Sequence, residues 1–296
     1  MSKADQAKLN AVIFGAGDAG CAAYELLRNE YNIVAFADND ASKFNTELLG
    51  LKVISANEIR TSGVQKVLIA SEYSEQIFKQ LTTLKLEQTI EVLASRYLKA
   101  IDFSQTEIRE QATSVLLSLC DKLNITDIRY YVDAGTLLGI VRDGELIPWD
   151  DDLDIALHAA DTEQFESYLP LLLDELKNIY DVQYTANSYT TKTGFGAVPA
   201  GAIRNFKLLP TEPKSTMPMI DVFVKYIHGD NMDYCLASRG IRMPSVHFDS
   251  YDEFVFKQQV IKLPHQHEAY LRAHYGDWQT PKPDWSLSEL DNSTLF

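Results

Sequence analysis

Asp133-Ala134-Gly135-Thr136-Leu137-Leu138-Gly139-Ile140-Val141-Arg142-Asp143-Gly144-Glu145-Leu146-Ile147-Pro148-Trp149-Asp150-Asp151-Asp152-Leu153-Asp154-Ile155 is the stretch on which the reading of this chain turns. Its end, Asp152 to Leu157, has the alternation of a strand: Leu153, Ile155 and Leu157 would face a core while Asp152 and Asp154 share the opposite face. Carboxylates two apart on a strand sit about 6–7 Å from each other at Cα. Like charges so placed repel unless a cation lies between them, and an all-oxygen ligand set suits Mg²⁺ or Mn²⁺. Ile220-Asp221-Val222-Phe223-Val224 repeats the pattern with one acid inside an apolar strand, where an unpaired charge is costly to bury. Asp152, Asp154 and Asp221 are therefore the candidate metal ligands and catalytic residues. The plainer alternative is a solvated acidic turn. Against it, the acids lead straight into an apolar strand and follow a Gly135-Thr136 turn able to offer backbone N–H groups to a phosphate. An EF-hand loop does not fit, because the sixth position from Asp150 is Ile155, not Gly, and the twelfth is Asp161.

Working outward, a helix from about Glu107 to Leu123 precedes this stretch, with a strand at Ile128 to Val132 and a short helix at Thr136 to Val141. Asp143-Gly144 reads as a turn, and a helix follows from Thr162 to Asn178 with Asp161 and Gln164 as its capping pair. Ile220 to Tyr226 reads as a strand and His265 to Tyr275 as a helix. Tyr184 to Met219, rich in Gly, Pro and Thr, reads as a loop, and the chain beyond Pro281 as a tail.

Before Ala100 the pattern is different. Short apolar runs at Ala11–Phe14, Ile33–Ala37, Lys52–Ile54, Lys66–Ala70 and Thr89–Leu93 alternate with helical segments, including Cys21–Asn29 and Ser74–Thr83, as in a doubly wound parallel sheet. Gly15, Gly17 and Gly20 lie between the first strand and first helix, with Asp38 at the end of the second strand. The glycines would let a pyrophosphate approach a helix N-terminus, and Asp38 could accept from ribose hydroxyls. A turn kept only for packing is the alternative. The division expected is a Rossmann-like α/β domain over residues 1–100 and an α+β domain over residues 101–296.

With 27 Lys and Arg against 42 Asp and Glu, a formal charge of −15 and 46% hydrophobic residues, the chain of 296 residues reads as globular and not as a nucleic-acid binder. No apolar run is long enough to span a bilayer, and Met1-Ser2-Lys3-Ala4-Asp5 lacks the plan of a signal peptide, so a soluble, cytoplasmic protein is expected. Cys21, Cys120 and Cys235 show no metal spacing and read as ordinary buried thiols; the six His residues show none either, and His265 and His267 read as surface residues.

Gly135-Thr136-Leu137-Leu138-Gly139, Val141-Arg142 and Ile147-Pro148-Trp149-Asp150-Asp151-Asp152-Leu153-Asp154-Ile155 closely resemble the signature of the LicD/fukutin-related family. Ile220-Asp221-Val222-Phe223 resembles its second acidic strand, and Tyr275-Gly276-Asp277-Trp278 its C-terminal element. The resemblance runs from about Glu107 to Pro281. It implies a nucleotidyltransferase-like fold in which a Gly-Thr turn and three strand-borne carboxylates bind nucleotide phosphates through Mg²⁺. It also implies transfer of a phospho-alcohol, such as phosphocholine or ribitol phosphate, from a CDP-linked donor to a hydroxyl of a cell-surface glycan or its lipid-linked precursor. Glycan-assembly enzymes at the inner membrane face would be the neighbours, and self-association is left open. Val222-Phe223-Val224-Lys225 departs from the family in lacking its Pro-Leu-Asp. In this frame Gly135, Thr136, Arg142 and Trp149 are the candidate substrate-binding residues. Arg142 would grip phosphate or else pair with Asp143 or Glu145, Trp149 would stack on a base or wedge the turn, and Asp150 and Asp151 would orient the ligands or join them.

Ala11 to Ile59 resembles the N-terminal domains of nucleotide-sugar epimerases and dehydratases of polysaccharide biosynthesis, which implies a dinucleotide of the NAD(P) type or a nucleotide-sugar at Gly15, Gly17, Gly20 and Asp38. No Tyr is followed four residues later by Lys, so the hydride chemistry of those enzymes is not expected.

Overall fold

The alternating apolar runs of the first hundred residues form a six-stranded sheet in a computed structural model that describes residues 8–94, 97–99, 101–212, 215–237, 239–283, 285, 287–290 and 292–295. The opening Met1–Asp5 lies outside the described residues. The chain divides into two compact units, Met1–Ala100 and Ile101–Phe296.

In the first unit, β1 (Asn10–Phe14), β2 (Asn32–Asp38), β3 (Glu47–Leu48), β4 (Leu51–Ser55), β5 (Lys66–Ile69) and β6 (Thr89–Val92) take the order β3-β4-β2-β1-β5-β6, all parallel except the short β3. Helices α1 (Asp18–Leu27) and α2 (Ser74–Thr83) are its α-helices among the described residues. Strand β1 is central and buried on both faces: Val12 and Phe14 join one apolar cluster, Ala11 and Ile13 the other. That explains its unbroken apolar run. The strand order reverses between β1 and β5, and the glycine turn after β1 lies at this switch.

The second unit is α+β. It contains α3 (Thr106–Asn124), β7 (Tyr130–Val132), α4 (Ala134–Asp143), β8 (Asp152–His158), α5 (Thr162–Tyr180), β9 (Tyr184–Thr190), β10 (Ile203–Pro210), β11 (Met219–His228), β12 (Asn231–Leu236) and β13 (Arg239–Pro244). After these come α6 (Val246–Asp249), β14 (Tyr251–Phe256), β15 (Gln259–Pro264), α7 (His267–Tyr275) and β16 (Ser293–Leu295). Strand β11 is the hub of the eight-stranded sheet: β10 and β12 pair with it antiparallel and β8 parallel, and β7 adds to β8. Leu116 and Leu119 of α3, Leu172 and Leu176 of α5, and Leu153, Ile155, Val222 and Val224 of the central strands share one core.

Three local expectations are corrected. The segment from Tyr184 to Met219 is not a loop: β9 and β10 form an antiparallel pair within it. Their signal was hidden because β9 is exposed beyond Tyr184, while β10 buries Arg204 and Asn205 where an apolar residue would announce a strand. The chain beyond Pro281 is not only a tail, because β16 pairs antiparallel with β13 through Ser293 to Leu295. Asp161 makes no side-chain cap on α5; it accepts from the N–H, Nε and Nη2 of Arg129 at 3.0, 2.8 and 2.8 Å.

Candidate metal centre

Strand register decides which acids meet. The parallel β8–β11 pairing sets Asp154 opposite Asp221, and the β7–β8 pairing ends at Val132 opposite Ile155. Asp133 therefore comes abreast of Asp154, with its N–H donating to the Asp154 carbonyl at 3.0 Å. On the far side, β10 sets Lys207 opposite Asp221. Laterally paired residues project to the same face of a sheet, so Asp133, Asp154, Asp221 and Lys207 form a row across four strands, with Asp152 one step along β8.

Carboxylate oxygens of Asp150, Asp152 and Asp154 lie within 4.8 Å of one another. Asp150, weighed in the sequence as a supporting residue or a ligand, thus stands in the cluster itself. Asp221 stands beside it and is held by its own neighbours: Asn205 Nδ2 donates to Oδ1 at 2.6 Å, and Lys207 Nζ lies 3.1 Å from Oδ2. Burial, then the charges of Asp154, Asp151, Asp150 and Asp221, push the Asp152 carboxyl far above the usual range. Burial, then Asp150, Asp221 and Asp133, do the same to Asp154, against a hydrogen bond from the Thr136 N–H. Such a cluster is under electrostatic stress that a cation would relieve.

Gly135 and Thr136 are in the first turn of α4, and their N–H groups donate to Asp154 Oδ2 at 3.1 and 3.4 Å. The Thr136 Oγ1 accepts from the Asp154 N–H at 2.8 Å. Free amide donors at a helix start favour a negative partner, and here Asp154 supplies it. A Cβ at Gly135 would stand 2.4 Å from Asp150 Oδ2, which is why the acids can close over the helix start only with glycine there. Arg142 makes three hydrogen bonds to Asp143, at 2.6 to 3.1 Å, and its guanidinium carbon lies 6.0 Å from the Trp149 ring centre. Glu145 pairs with Arg109 instead, at 3.2 Å. Trp149 is half-buried and packs against the core. Tyr275, from the C-terminal motif, is brought beside the cluster: burial and the charges of Asp154, Asp133, Asp150 and Asp152 push its phenol well up.

Sequence reasoning missed Asp133, Lys207, Asn205 and Lys225. The available signals were an acid one position before the helical pattern and a lysine breaking an apolar strand four residues after Asp221.

In the first unit, Gly15 has φ +125° and donates its N–H to Ala37 O at 2.7 Å, Gly20 abuts the Gly15 carbonyl, and Gly17 faces open space. Asp38 Oδ2 accepts from the Ala16 N–H at 2.9 Å and lies 3.0 Å from Lys43 Nζ, while Oδ1 accepts from the Asp40 N–H. Burial favours its neutral form, yet the Asp40 and Ala16 N–H groups and Lys43 outweigh it and hold the carboxyl below the usual range. Asp38 thus ties down the glycine turn itself. Elsewhere, Cys120 and Cys235 are buried, Cys21 is half-buried, and all three are free thiols. His265 and His267 are part-buried, with their Nδ1 atoms 3.0 and 2.7 Å from Asp252. No helix among the described residues is long and apolar enough to cross a membrane.

Parts of the chain match known proteins. Residues 7–90 match the family described as C2185-like, N-terminal. The lipopolysaccharide cholinephosphotransferase LicD of Haemophilus influenzae is 27% identical over 77 residues, 26% of this chain and 27% of that protein. The human ribitol 5-phosphate transferase FKRP is 39% identical over 44 residues, 15% of this chain and 9% of that protein. The matched stretches span no more than 27% of the length of the curated relatives. Among solved structures, UDP-D-quinovosamine 4-dehydrogenase from Vibrio fischeri is 26% identical with a TM-score of 0.26, covering 29% of this chain and 79% of that one. Residues 127–267, which include Asp133, the acids of β8 and Asp221, match the family described as LicD/FKTN/FKRP, nucleotidyltransferase domain, and the second unit therefore carries a domain of that family.

Proposed function

We propose that this chain is a metal-dependent phosphotransferase that moves a phospho-alcohol, of the class of phosphocholine, ribitol phosphate or glycerol phosphate, from a CDP-linked donor to a hydroxyl of a cell-surface glycan or its precursor, releasing CMP. The single observation that carries the reading is the convergence of Asp150, Asp152 and Asp154 oxygens within 4.8 Å. The donors are all oxygen, the set a divalent cation of the Mg²⁺ or Mn²⁺ kind prefers, and the missing Cβ of Gly135 lets Asp150 Oδ2 close over the helix start beside Asp154. Asp150, Asp152 and Asp154 would hold it, with Asp221 abreast to complete the set. When bound, it would neutralise a diphosphate and acidify an attacking hydroxyl. The chain's own groups prepare the site: Gly135 and Thr136 fix the Asp154 carboxylate, while Asn205 and Lys207 fix Asp221. Arg142 and Trp149 are the neighbours with the chemistry to meet a phosphate and a base. The Arg142 guanidinium carbon lies 6.0 Å from the Trp149 ring centre, and a phosphate would have to compete with Asp143 for the arginine.

For residues 1–100 we propose a nucleotide- or dinucleotide-binding role at Gly15, Gly17, Gly20 and Asp38, supported by the open space over Gly17 at the sheet's switch point. Action in the cytoplasm, at the inner membrane face where such acceptors are assembled, suits this reading.

The test is Asp152→Asn. Mg²⁺-dependent CMP release from a CDP-alcohol should vanish while the melting temperature holds or rises, since one repelling charge is gone. Unchanged turnover would overturn the proposal, and a nucleotidylated product in place of free CMP would reassign the chemistry to nucleotidyl transfer.

A further inference from the structure

Lys225 is fully buried, an expensive place for an ammonium group. Its Nζ lies 2.7 Å from Asp133 Oδ2 and 3.1 Å from the centre of the Tyr234 ring. Asp133 is buried as well, and the Tyr270 hydroxyl donates to its Oδ1 at 2.5 Å. Buried ion pairs are poor stabilisers, because apolar residues of similar volume usually do as well or better. A pair kept under an acidic cluster therefore calls for a reason other than stability.

The backbone supplies one. Asp133 is the N-cap residue of α4: its N–H donates to the Asp154 carbonyl at 3.0 Å, and its own carbonyl accepts from the Leu137 N–H at 2.8 Å. Ala134, next along, has φ +44°, a left-handed conformation that a residue with a β-carbon adopts only under constraint. Gly135 and Thr136 follow, and their N–H groups grip Asp154 Oδ2. This strained turn is clamped on one side by Asp154 and on the other, through the Asp133 side chain, by Lys225 and Tyr270. Lys225 projects from β11 on the same face as Asp221, in the piece of strand where the chain departs from the family pattern.

We infer that Lys225 and Tyr270 are positioning residues for the metal centre, acting through Asp133 to hold the Asp133–Thr136 turn that orients the Asp154 carboxylate. The inference rests on the metal-dependent reading above. It makes a prediction opposite to simple charge balance. If Lys225 only offset negative charge, deleting its ammonium would leave a more negative site and tighten cation binding. If it positions, deletion strands the Asp133 charge, slackens the turn and weakens cation binding.

The experiment titrates Mn²⁺ into the full chain, followed by calorimetry and by the Mn²⁺ electron paramagnetic resonance line shape, for wild type, Lys225→Met, Tyr270→Phe and Asp152→Asn. Melting curves and circular dichroism check the fold. Lys225→Met should bind Mn²⁺ about tenfold or more weakly, the usual effect of losing a group that orients a ligand, with a broadened spectrum. Tyr270→Phe, which keeps the ring and loses the hydroxyl that donates to Asp133, should weaken binding by a smaller factor. Wild-type or tighter affinity in a folded Lys225→Met overturns the inference. Should Lys225→Met fail to fold, Tyr270→Phe decides, and wild-type affinity there is the overturning result. Asp152→Asn separates the two levels. Full Mn²⁺ binding in that variant sinks the metal reading itself, whereas its loss there beside intact binding in the other two sinks only the positioning role.

Discussion

Gly135→Ala separates the stability of the second unit from the geometry of its acids. The new Cβ would stand 2.4 Å from Asp150 Oδ2 and 3.4 Å from Asp154 Oδ2, so the Asp150 oxygen must retreat by about 1 Å to reach ordinary contact. The obstacle is the end of a side chain, so the backbone of α4 need not move. Alanine in place of glycine in a helix favours folding by up to about 1 kcal/mol, less near a terminus, which for a unit of this size moves the melting temperature by about 2–4 °C at most. A donor shifted by about 1 Å no longer serves an ion that demands near-ideal geometry, and misplacement on that scale costs on the order of 100-fold in turnover. Differential scanning calorimetry, Mn²⁺ titration and CMP release on the same preparation should show an unchanged or slightly higher melting temperature beside a strong loss of affinity and turnover. Full Mn²⁺ affinity in Gly135→Ala would refute the reasoning, because it would mean that Asp150 has no part in holding the ion.

His274 should make the protein acid-sensitive: burial, the largest effect, pushes its imidazole down to about 4 from 6.5. The unfolded chain therefore binds a proton that the folded chain refuses, and stability falls as pH drops from 6.5 toward 4, by about 3 kcal/mol at about 1.4 kcal/mol per unit. Urea melts across that window should show the slope reduced in His274→Leu; an unchanged slope would assign it to other groups. In the first unit, Gly20→Ala should cost several kcal/mol, since its Cβ would fall on the backbone carbonyl of Gly15, while Gly17→Ala, facing open space, should leave the melting temperature within about 1 °C. Equal melting of the two variants would count against the close approach of α1 to the turn.

The stretch from Asp133 to Ile155 announced its elements because its periods are local. Apolar spacing marked α4 and β8, and glycines 135 and 139 punctuated the helix. The parallel sheet of the first unit was legible for the same reason: each strand is a short apolar run bounded by turn residues. Strands β9 and β10 were not legible. Their burial depends on which neighbour covers them, and Asn205 and Lys207 are polar because they serve Asp221 on another strand.

A carboxylate's place in the chain thus states that a charge must be accommodated, and that much the sequence settles without help. Which groups accommodate it is a matter of register between strands far apart in the chain. Pairing of β7, β8, β11 and β10 aligned Asp133, Asp154, Asp221 and Lys207 into one row, and the packing of α7 brought Tyr270 under Asp133. Local propensity knows nothing of which residue on another strand or helix will lie beside a carboxylate, whereas the electrostatic balance of a buried site depends on those neighbours.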